Sequence, residues 1–143
     1  MTDRHEKKLL SLMEADASAY IAEFRWAPPI ADIHLCFGVG KVIELFLVSF
    51  TEPVDGSDDR LWVVVGDLPS AYLVVNDNDD PRQAMAQYCD LMADWCSAVE
   101  QGSDMSEVFP VSAPAALENA GLLRSRIAFI RHDLLGQISD RAV

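Results

Sequence analysis

Apolar side chains return every three or four positions at the start of the chain, with Leu9, Met13, Ala17, Tyr20, Ile21 and Phe24 on one stripe. That period belongs to an amphipathic helix, which the spacing places from about Asp3 to Trp26. Pro28-Pro29 closes it, because proline disfavours helical geometry in the residue before it. The period then shortens. Ile33, Leu35 and Phe37 alternate with Asp32, His34 and Cys36, the two-residue repeat of a strand over Ile30–Phe37 with one wetter face. Gly38-Val39-Gly40-Lys41 reads as a turn, and Val42–Phe50 as a mostly apolar second strand. Beyond the polar loop from Thr51 to Asp59, Leu61–Val65 is continuously hydrophobic, as suits an internal strand. Gly66-Asp67-Leu68-Pro69 interrupts it, and Ala71–Val75 supplies a fourth strand. Such short connections exclude parallel crossovers, so an antiparallel meander is expected.

The helical period resumes after Asn76-Asp77-Asn78-Asp79-Asp80-Pro81. Asp80 suits an N-cap, Pro81 the first helical position, and Gln83 completes a capping-box pattern. Met85, Tyr88, Met92, Trp95 and Val99 form the buried seam, and Gly102 ends the helix. A loop follows from Ser103 to Ser112, with Phe109 and Val111 turned inward. Pro114 opens a last helix, whose stripe is Ala120, Leu123, Ile127, Ile130 and Leu134. The expected fold is α+β: an N-terminal helix, a four-stranded antiparallel meander and two C-terminal helices. Its 143 residues hold no repeat or linker, so residues 1–143 are expected to form one domain.

Charge narrows the partner classes. Half the residues are apolar and mean hydropathy is slightly positive, which does not fit a disordered chain. The formal charge is −12, from 23 acids against 11 lysines and arginines. Phosphate neutralisation needs a basic surface, so nucleic acid is not an expected partner. Anionic lipid is excluded by the same sign, and no apolar run is long enough to span a bilayer. The charge is also uneven. Residues 51–110 carry thirteen acids against Arg60 and Arg82, a net of −11. The first residues lack the uninterrupted apolar core of a signal peptide, and three cysteines have no paired spacing. Both point to a reducing, cytoplasmic setting.

No motif carries recognisable catalysis. Gly38-Val39-Gly40-Lys41 has the glycine and lysine of a phosphate loop, but Leu35 replaces its first glycine and Val42 its hydroxyl, so a hairpin turn fits better. Asn76–Asp80 offers consecutive oxygen donors, yet Pro81 and Gln87 stand where a calcium loop needs glycine and glutamate. Cys89 and Cys96 share one helix face about 10 Å apart, too far for a disulfide or one tetrahedral zinc. Arg124 and Arg131 lie two turns apart and suit a carboxylate or phosphate, but pairing with the acidic middle of the chain accounts for them better. No catalytic residue, cofactor or metal is therefore assigned.

The meander itself brings acids together. Its connections alternate between the two sheet ends, so the 51–60 loop and the 76–80 junction share one end, roughly 10 Å apart. Glu52, Asp55, Asp58, Asp59, Asp77, Asp79 and Asp80 thus converge, with Arg60 nearby. Mutual repulsion there favours a partner that relieves it, and a basic protein is the expected one.

The block Trp62-Val63-Val64-Val65-Gly66-Asp67-Leu68-Pro69-Ser70-Ala71-Tyr72 resembles one found in a family of small uncharacterised bacterial proteins, and Arg126-Ile127-Ala128-Phe129-Ile130-Arg131 fits the same pattern. The resemblance spans residues 30–135 and implies no particular activity. At the level of class, a small acidic α+β protein without catalytic motifs is similar to bacterial immunity proteins, which block cognate toxins. The leading expectation is a non-enzymatic protein-binding domain, immunity- or antitoxin-like. One alternative is a small-molecule binder or enzyme with His34, Cys36 and Arg131 lining a pocket. Another is a homodimer formed through apolar surface left on the sheet or the first helix.

Overall fold

The computed structural model describes residues 2–39, 42–54, 59–75, 80–109, 111 and 114–138, with backbone alone for 2–7 and 107. Two compact units divide the chain, Met1–Asp79 and Asp80–Val143. The first holds α1 (Thr2–Ala22) and strands β1 (Ile30–Val39), β2 (Ile43–Phe50), β3 (Arg60–Gly66) and β4 (Ala71–Val74). The strands pair antiparallel in the order β1-β2-β3-β4, the meander the short connections require. The second unit holds α2 (Pro81–Gln101) and α3 (Leu117–Phe129), which runs on through a π turn at Ile130–Leu134 and a 3-10 turn at Leu135–Gln137. The α+β class and the element order agree with the sequence pattern.

In the first unit, Met13, Ala17 and Ile21 of α1 pack on Phe46, Val48 and Phe50 of β2 and Leu61, Val63 and Val65 of β3. Each large side chain buried this way contributes about 1.5–3 kcal/mol. The opposite face of the same strands, with Ile43, Leu45, Leu47, Trp62 and Val64, is buried as well. Dryness on both faces explains the unbroken apolar run of β3. β3 ends at Gly66, whose φ of 136° suits glycine, and a Cβ there would stand 2.6 Å from the Val42 carbonyl oxygen.

β1 departs from the expected alternation. Its register against β2 shifts between Ile30 and Asp32 and again between Leu35 and Phe37. The second shift leaves Cys36 as an extra residue. Leu35 lies opposite Phe46 on the α1 face, but Phe37 lies opposite Leu45, on the other face. Ile33, Leu35 and Phe37 therefore do not share a face. α1 also stops before the expected Trp26. After Ala22 the chain leaves the helix axis and carries Phe24 and Trp26 onto Tyr72.

In the second unit, the Asp80 carboxylate accepts the Gln83 backbone N–H at 2.8 Å, and Pro81 follows at a position needing no donor. Gly102 closes α2 in left-handed geometry at φ 66°. The α2 face of Met85, Tyr88, Cys89, Met92, Trp95 and Cys96 is buried, as are Ala120, Leu123 and Ile127 of α3. The Cys96 thiol donates to the Ala120 carbonyl at 3.4 Å, joining the two helices. α3 begins at Leu117, later than Pro114, because the Pro114 carbonyl instead accepts from Ala116 N and Asn119 Nδ2.

Candidate protein-binding surface

Two backbone hydrogen bonds fix one end of the sheet. Thr51 N donates to Pro29 O at 2.9 Å and Phe50 N to Asp59 O at 2.8 Å, so the loop after β2 leaves and returns beside the start of β1. Glu52 and Asp59 stand exposed there. At the start of β1 lies an open cleft of about 550 Å³, walled by Ile21, Phe24, Ala27, Pro28, Pro29 and Ile30, with Ser18 its one hydroxyl.

An aromatic cluster adjoins the cleft through Phe24. Phe24 stacks on Trp26 at 5.2 Å, and Tyr72 meets both edge-on at 5.1 Å. Tyr20 supports Phe24 from beneath at 5.2 Å. The Tyr20 hydroxyl is held protonated far above the ordinary range by burial, with Tyr72 and Glu23 adding to the shift. Rings this close brace one another, leaving Trp26 presented to solvent at 39% exposure. Glu23, next to the cluster, is exposed.

The other anticipated acids divide. Asp55, Asp58, Asp77 and Asp79 lie outside the described residues. Asp80 is buried at 7% exposure and caps α2, so its carboxylate serves the helix. Two of the anticipated arginines are occupied: Arg124 of α3 is bidentate to Glu100, with contacts of 2.8 and 3.1 Å, and Arg131 of the π turn reaches Asp90 at 2.8 Å. The pairing explanation accounts for both.

The cysteines are held in their less reactive form. Burial pushes the Cys89 thiol up to about 11, and also raises Cys36 and Cys96, so all three favour the poorly nucleophilic protonated form. His34 is exposed, and the Cys36 thiol donates to the His34 carbonyl at 3.8 Å and also meets the Leu47 backbone. Among the described residues, no group of three or more His, Cys, Asp or Glu side chains is placed to hold a metal. No described helix is long and apolar enough to cross a membrane.

One buried acid escaped the sequence reading. Glu44 points to the α1 face of β2, between Gly38 of β1 and Val65 of β3, and is 5% exposed. Its Oε1 has no hydrogen-bond partner among the described residues. Its carboxylate lies across Gly38 so closely that a side chain there would collide with Oε2. Burial raises its pKa to about 7. The signal was a single carboxylate inside the apolar run Val42–Phe50.

Comparison with protein-family profiles, curated proteins and solved structures returns no match to this chain.

Proposed function

We propose that the protein is a non-enzymatic protein-binding domain that docks a basic partner, in the manner of an immunity- or antitoxin-like inhibitor. The observation carrying this reading is an apolar cleft at the start of β1, beside the exposed carboxylates of Glu52 and Asp59, that adjoins through Phe24 the braced and exposed Trp26. Aromatic side chains set in a rigid surround supply affinity, while a rim of one sign steers the partner and fixes its orientation. Asp55 and Asp58 lie between Glu52 and Asp59 in the sequence, and Asp77 and Asp79 precede the Asp80 cap. A small polar ligand fits less well, because among the described residues Ser18 is the only polar side chain lining the cleft.

Affinity capture from the native cell at low and high salt supplies the partner, and rapid-mixing kinetics then test the surface. Replacing Glu52, Asp55, Asp58, Asp59, Asp77 and Asp79 with their amides should slow association at least roughly tenfold at low salt and flatten its salt dependence. Trp26→Ala should chiefly speed dissociation. Unchanged kinetics in both variants would refute the reading.

A further inference from the structure

Leu122 and Phe129 stand out on the surface of α3, at 57% and 44% exposure. They are seven residues apart, so they lie on one line along the helix, two turns from each other. Glu118 lies one turn before Leu122 and Arg126 one turn after it, on the same side and exposed. Neither side chain makes an ion pair or hydrogen bond among the described residues, whereas Arg124 and Arg131 are both paired with α2. The face thus carries an apolar centre, an acid at one end, a base at the other, and no internal counter-charge. Gly121, beside Leu122, has open space where a Cβ would stand, so another backbone can approach closely.

This pattern is complementary to itself. In an antiparallel helix pair centred on Leu122, a residue a given number of places before Leu122 faces the residue equally far after it. Four places either way sets Glu118 against Arg126. Seven places sets Phe129 against Ala115, in an exposed Pro114-Ala115-Ala116 segment. A parallel pair would instead oppose Glu118 to Glu118 and Arg126 to Arg126. We propose that α3 pairs antiparallel with α3 of a second copy of the chain, about a twofold axis at Leu122, with Glu118 of each copy against Arg126 of the other. The contact is isologous and uses each pair twice.

One short helix pair buries less than a standard interface, so dissociation constants on the order of 100 µM are expected. Sedimentation equilibrium from roughly 10 µM to 1 mM covers that range. Wild type should dimerise, and Leu122→Asp should weaken dimerisation at least roughly tenfold. Glu118→Arg alone and Arg126→Glu alone should each be monomeric, since each opposes like charges twice. An equimolar mixture of the two should form heterodimers, and the double variant should dimerise again. Because both positions are exposed, circular dichroism and melting temperature should match wild type. A wild type monomeric throughout, single variants that dimerise normally, or a mixture that stays monomeric would each overturn the proposal.

Discussion

In the helical unit, Glu100 and Asp90 each meet an arginine at 2.8 Å, and Arg82 closes on the Ile138 carbonyl at 2.9 Å. In the sheet unit, Glu52 and Asp59 stand exposed at one end, and Glu44 is buried on the α1 face of β2 with no partner for Oε1 among the described residues. The helical unit neutralises two of its acids locally, and these three acids of the sheet unit have no such pairing among the described residues. The conspicuous pairs are the less consequential, because they lie in water: side-chain exposures are 43% and 39% for Arg124–Glu100, and 42% and 71% for Arg131–Asp90. A carboxylate with no partner in a dry site carries the larger cost.

The sharpest break of this contrast is Glu44→Gln. With its pKa raised from 4.5 to about 7, Glu44 binds a proton in the folded state that it releases on unfolding between those values. Its contribution is fully retained below pH 4.5 and lost as pH rises through about 7. Denaturant melts at pH 8 should find Glu44→Gln more stable than wild type by about 3 kcal/mol, with no difference at pH 4. An equal difference at both pH values would show that packing, not ionisation, governs the site. Next in size is Asp80→Ala, which removes a buried cap and should cost about 1 kcal/mol at pH 7, read from the same melts. Smallest is Arg131→Ala, with an expected loss below about 1 kcal/mol that shrinks further in high salt. A loss larger than that of Asp80→Ala would reverse the ranking of buried over exposed carboxylates.

Much of the fold was legible because its signals are local. Asp80-Pro81 and Gly102 mark the ends of α2 chemically, and the short turns leave the strands little choice but a meander. The misses involve features that only tertiary structure supplies. The bulge at Cys36 is invisible in a pattern that alternates cleanly through it, and it reverses Phe37. Helical periodicity runs on to Phe24, yet burial against Tyr72, forty-eight residues later, ends α1 first. The candidate surface was less legible. Turn alternation predicts that Glu52 and Asp59 share a sheet end, where both stand exposed, but nothing in the spacing of Ile21, Phe24 and Pro29 says that they wall a cleft beside it. Nor does the apolar run around Glu44 reveal that its carboxylate folds over Gly38.

β1 is an outer strand of the sheet and ten residues long, the kind of free edge on which a neighbouring molecule can add a strand and begin to aggregate. Its two register shifts divide that edge into short stretches. At each shift the outward row of N–H and C=O groups falls out of step, so an incoming strand meets no long regular ladder. The irregularity that turns Phe37 to the second face thus also guards the sheet against uncontrolled growth, and leaves association to the chemistry of its side chains.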